Sequence, residues 1–133
     1  MLSLMCMGVF LRFPTLNASN PGSDWQLAVD HGYEVQIDDT GFNPDTGQHH
    51  DALHQTGAIY TFAPSTHIAS KPAGQWNTYV IEANRDNIRV TLNGEVVTDF
   101  TVDGSRPPAG HIGLQNHTGK VQFRNILIRS LPD

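Results

Sequence analysis

Gly-Tyr-Glu-Val-Gln-Ile-Asp-Asp, residues 32–39, decides the fold. Val35 and Ile37 alternate with Glu34, Gln36 and Asp38. Side chains on a strand point to opposite faces at every second residue, so this run is a strand with one apolar face. Its other face carries a carboxylate, an amide and a second carboxylate in a row. Such a row is more than a scatter of solvent-facing Thr, Ser and Lys.

Working outward, the same period of two recurs along the chain. No window of ten or more residues shows apolar positions at helical spacing. Strands are expected at 7–13, 32–38, 57–62, 76–83, 87–92, 95–101, 111–115 and 120–129, with 25–29 as a further short strand or edge. Asn93-Gly94 supplies the two positive-φ residues of a type I′ turn, so 95–101 folds back on 87–92. In the last strand Val121 and Phe123 fall on one parity, Ile126 and Ile128 on the other. One extra residue near Arg124-Asn125 restores a common face, as a β-bulge does. Trp76 and Asn77 read as anchors of a strand start. Two packed antiparallel sheets satisfy this pattern: an all-β sandwich of the jelly-roll type.

The chain has 133 residues, which suits one domain spanning 1–133. With 16% charged and 38% hydrophobic residues it is globular. The net charge of −5 has no basic cluster, which leaves no nucleic-acid footprint. Cys6 stands alone, so neither an intrachain disulfide nor a thiolate cluster forms. The apolar start falls short of the ~20 residues of a membrane span. It also lacks the basic flank and the cleavage site of a signal peptide. Asn17-Ala18-Ser19 is a formal glycosylation sequon.

Strand parity places Val9, Leu11, Val35, Ile37, Ile112 and Leu114 in the core. The opposite parity gathers Phe10, Arg12, Glu34, Gln36, Asp38, His111 and Gln115 on a solvent-facing surface, with His117 just past the strand end. Planar bidentate groups suit sugar hydroxyls, and Tyr60, Phe62 and Trp76 offer rings for stacking. The plain alternative is a solvated face whose charges pair weakly. In the 39–56 loop, His50 and His54 stand four apart with Asp51 between, a spacing that binds a divalent metal on a helix. Asp38, Asp39, Asn43 and Asp45 add oxygen ligands nearby, and loop histidines without a metal are the competing reading.

The motifs G-V-F-L-R, G-Y-E-V-Q-I-D-D, L-H-Q-T-G-A-I-Y, K-P-A-G-Q-W-N-T-Y, V-T-L-N-G, H-I-G-L-Q-N-H and V-Q-F-R-N-I-L-I-R occur in that order, within a stretch from about Gly8 to Leu131. Together they resemble the 3-keto-disaccharide hydrolase domain family, formerly a domain of unknown function. The resemblance implies a concanavalin A-like, glucanase-type jelly roll. In that family G-V-F-L-R lies well inside the domain, so the resemblance also implies a chain lacking N-terminal strands. Family members are often periplasmic or extracellular. The implied activity is hydrolysis of 3-keto-glycosides by C2 proton abstraction, elimination and hydration. On this resemblance Glu34 is the base, with His117 as its alternative, and Arg12 stabilises the oxyanion, with or without a divalent metal. Gln36, Asp38, Gln115, Tyr60 and Lys71 hold the sugar. A non-catalytic carbohydrate-binding sandwich is the other reading, since fold does not dictate function.

Overall fold

A computed structural model describes residues 7–16, 24–117 and 119–132. Cys6, the sequon at 17–19 and the apolar start before Met7 lie outside the described residues. The elements in chain order are β1 (Met7–Phe13), α1 (Asp24–His31), β2 (Tyr33–Ile37), β3 (Tyr79–Asn84), β4 (Asn87–Leu92), β5 (Glu95–Thr101) and β6 (His111–Leu114). They form two antiparallel sheets of three strands, ordered β2-β1-β6 and β3-β4-β5. Leu11, Tyr33 and Val35 of the first sheet pack with Ile88, Val90, Leu92 and Val97 of the second, which makes an all-β sandwich with a core shared between its sheets. Tyr79 ties the layers by donating its hydroxyl to the Gln36 carbonyl at 2.8 Å. Burial pushes that phenol well above its ordinary pKa.

The β4–β5 hairpin forms as its turn dipeptide dictates. Asn93 and Gly94 take φ of 52° and 89°, and the flanking strands pair from Leu92–Glu95 to Asn87–Thr101. Residues 57–62 do less than a full strand. Three backbone bonds lay 57–60 against β2, and a tight turn then closes between Ile59 and Ala63. β3 begins at Tyr79, three residues later than alternation predicts.

Three expectations need correction. Residues 25–29 belong to α1, whose Ala28 and Val29 pack on Phe10 and Phe13 of β1. Eight residues make just over two turns, too few for a helical stripe to emerge in sequence. Gly32 ends this helix, its amide bonded to the Ala28 carbonyl. A Cβ there would stand 2.8 Å from both the Leu11 oxygen and the Phe13 Cβ, so only glycine allows this approach.

Residues 120–129 make no sheet ladder among the described residues, and Ile126, Leu127 and Ile128 are exposed. Asn125 does take a positive φ, 53°, at the position where phase arithmetic placed a bulge. Of the expected core, Leu11 and Val35 are buried, but Ile112 and Leu114 remain 52% and 44% exposed. Among the described strands, β6 has a partner on one edge only. No helix among the described residues is long and apolar enough to cross a membrane.

Candidate functional site

Register builds the polar face of the first sheet. Phe10 pairs with Glu34 on one side and Gly113 on the other, while Tyr60 donates its amide to the Glu34 carbonyl. One step along, Gly8 pairs with Gln36 and accepts the Gln115 amide. Directly paired residues share a face. Tyr60, Glu34, Gln36 and Gln115 therefore stand together, opposite the sandwich core.

This face is closed where sequence parity puts it in water. Glu34 is 6% exposed and Gln36 fully buried. α1 covers the Phe10–Phe13 end, and the 38–56 loop brings His54 edge-on to the Tyr60 ring at 5.2 Å. The Glu34 carboxylate lies over the side-chain-free backbone of Gly8. Its Oε1 has no hydrogen-bond partner, and the same holds for Gln115 Oε1. Burial alone pushes the Glu34 carboxyl up to about 7, with no neighbouring charge to oppose it.

Arg12 is not on this face. β1 shifts register against β6 between Phe10 and Phe13, and Arg12 sits in that irregularity with φ 56°. A bulge breaks the alternation of side chains. Leu11 and Arg12 both border a cavity shared with Ala83 of β3 and Arg85 of the β3–β4 turn, and the Arg12 charge acts on core-facing Tyr33 rather than on Glu34.

Asp38 serves its own loop. Its carboxylate accepts from the Thr40 amide at 2.8 Å, the Thr40 hydroxyl at 2.6 Å and the Phe42 amide at 3.1 Å. Lys71 is exposed on the loop before β3, where its amide bonds Asn77. His117 is exposed beyond β6. Phe62 packs in the core against Tyr33 and Phe100, and Trp76 lies under Arg124 at 3.8 Å, so neither ring joins Glu34.

The two loop histidines part company. His50 is exposed with φ 60°, whereas His54 is buried with Nδ1 3.0 Å from Asp51 Oδ1. Asp51 also accepts from Asn43 and from the Leu53 amide, which with His54 pulls its carboxyl down to about 2. No three His, Cys, Asp or Glu side chains converge as metal ligands among the described residues. The residues present do not fit a metal centre at His50 and His54. Asp51 instead orders the loop, a role visible in hindsight as an acid two residues before a bonded amide. Gly8 was equally legible: a glycine inside a strand marks a close approach.

Among solved structures, the chain is similar to a candidate glycosyl hydrolase from Parabacteroides distasonis, with 22% identity and a TM-score of 0.63. That match covers 86% of this chain and 64% of the other. A second such protein from the same organism matches at 19% identity and a TM-score of 0.56, over 75% of this chain and 44% of its own. At these identities the likeness establishes the fold, and the chain spans less than two thirds of either relative. No curated protein matches it. Residues 7–129 match the family described as the 3-keto-alpha-glucoside-1,2-lyase-like domain, and the chain belongs to that family.

Proposed function

We propose that this chain carries a site for eliminating the C1 substituent of a 3-keto-glycoside, on a concanavalin A-like jelly roll, with Glu34 as the base. The observation that carries the reading is the Glu34 carboxyl itself: buried, unpartnered at Oε1, and raised to about 7. A base is most useful when its pKa lies near the working pH. A ketone at C3 acidifies the C2 proton. Glu34 takes that proton, and the electron pair passes into the enolate. The C1–O bond then breaks, and its electrons leave with the departing oxygen. Addition of water across the resulting C1=C2 bond completes a net hydrolysis. This route needs one base rather than the flanking acid pair of ordinary glycosidases.

In this reading Gln115, with its unpartnered Oε1, and Gln36 hold sugar hydroxyls beside Glu34, supported by their shared face with Glu34 and Tyr60. His117 is the alternative base. Arg12 has no part in this scheme, because the bulge turns it to the other side of the sheet. With Glu34 6% exposed, a sugar reaches it only when the groups over it move aside.

Incubation with 3-keto-trehalose or 3-keto-lactose, with and without EDTA, tests the reading. Cleavage that EDTA spares and that Glu34→Gln reduces by about a hundredfold or more supports it. Full turnover by Glu34→Gln moves the base to His117. Saturable binding without cleavage makes the chain a carbohydrate-binding sandwich.

A further inference from the structure

Arg12 presents a charge that the fold leaves unanswered. The residue is 8% exposed, and its Nη1 is sealed off with no hydrogen-bond partner. It makes no ion pair among the described residues: the acid–base contacts found there join His54 to Asp51, His67 to Glu95 and Arg89 to Asp99. Taking a guanidinium out of water costs several kcal/mol unless an anion compensates. No acid among the described residues supplies that anion, and Asp103, whose field also reaches Tyr33, is exposed and bonded to the Ser105 amide.

The surroundings of Arg12 indicate what is missing. It borders a cavity of about 330 Å³, within the size range of small-molecule sites. Arg85, from the β3–β4 turn, borders the same cavity, so two guanidinium groups share it. Both arginines take positive φ, 56° and 50°, a conformation uncommon for non-glycine residues. The remaining walls include Leu11, Ala83, Pro108 and Ile112. The Tyr33 hydroxyl, buried and without a partner, lies within reach of the Arg12 charge.

We propose that this cavity binds a small organic carboxylate. Its carboxylate is held by Arg12 and Arg85, which match the planar geometry of that group. Its apolar body rests on Leu11, Ala83 and Ile112. Those walls favour an organic acid over a bare phosphate, whose remaining oxygens they leave unsolvated. The site lies on the core side of the sheet, away from Glu34, and is independent of the glycoside reading.

The test is calorimetric titration of the full chain with sodium benzoate and with inorganic phosphate at fixed ionic strength. One benzoate per chain is expected to bind, more tightly than phosphate. Arg85→Gln, on an exposed turn, is expected to weaken benzoate about tenfold, the loss of one charge-assisted hydrogen bond. Arg12→Met is expected to abolish binding while keeping the β-type far-UV spectrum. The proposal is overturned if wild-type protein takes up no benzoate, if phosphate binds as tightly, or if Arg85→Gln binds benzoate like wild type. The last criterion holds even where Arg12→Met does not fold.

Discussion

The Glu34 carboxylate lies across Gly8: a Cβ built on that glycine would stand 2.7 Å from Glu34 Cγ, 2.8 Å from Oε1 and 3.0 Å from the Val35 carbonyl oxygen. A strand glycine usually weakens pairing. Here its missing side chain is the space that the carboxyl occupies. Gly8→Ala should therefore expel Glu34 from its seat. Overpacking of this kind costs about 1–3 kcal/mol, measurable as a lower urea midpoint. Turnover of a 3-keto-glycoside should fall in the same variant although Glu34 itself is unchanged.

The raised carboxyl of Glu34 makes stability depend on pH. Its folded value is about 7 against an ordinary 4.5, so the native state holds a proton that the unfolded chain has released. Stability is full below about 4.5 and falls as pH rises through about 7, by about 3 kcal/mol for a shift of this size. Glu34→Gln should flatten this slope and leave the variant more stable than wild type above pH 7. Equal slopes in the two proteins would mean that the carboxyl is not buried in solution. Turnover runs the opposite way and should rise through pH 7 as the base ionises.

Asp51 organises the loop that closes over Tyr60. It accepts hydrogen bonds from Asn43 Nδ2 and the Leu53 amide at 2.9 Å each, and contacts His54 at 3.0 Å. Asp51→Ala strands these groups, at a cost of about 1–3 kcal/mol. Amide exchange should quicken across residues 41–56 before it does in β4. Its lowered carboxyl contributes stability that is present above the ordinary value of 3.8 and lost as pH falls through about 2.

The shared core should dominate the energetics. Leu92 is fully buried within it, so Leu92→Ala is expected to cost about 2–5 kcal/mol. Arg89 and Asp99 form a 2.9 Å pair that is half exposed on both sides. Arg89→Ala should leave the urea midpoint unmoved, because screened surface pairs contribute little. A larger loss from Arg89 than from Leu92 would contradict the packing described here.

Local pattern by itself determined much of this protein. Alternation in β1, β2, β4 and β5, the Asn93-Gly94 turn and the motif order toward the family are all properties of neighbours in the chain. They survive any arrangement of the rest. Which side a group faces across the whole sheet was decided elsewhere. One register shift between Phe10 and Phe13 sends Arg12 inward, away from the Glu34 that parity alone would set beside it. Whether that face meets water depends on α1, which packs on Phe10 and Phe13, and on a loop pinned by Asp38 and Asp51, contacts that periodicity within a strand does not encode. Residues 120–129 carry strand-like alternation yet form no ladder, because a strand exists only where a partner's backbone meets it. Periodicity is written residue by residue; burial, and the carboxyl pKa that burial raises, belong to contacts that only the folded chain brings together.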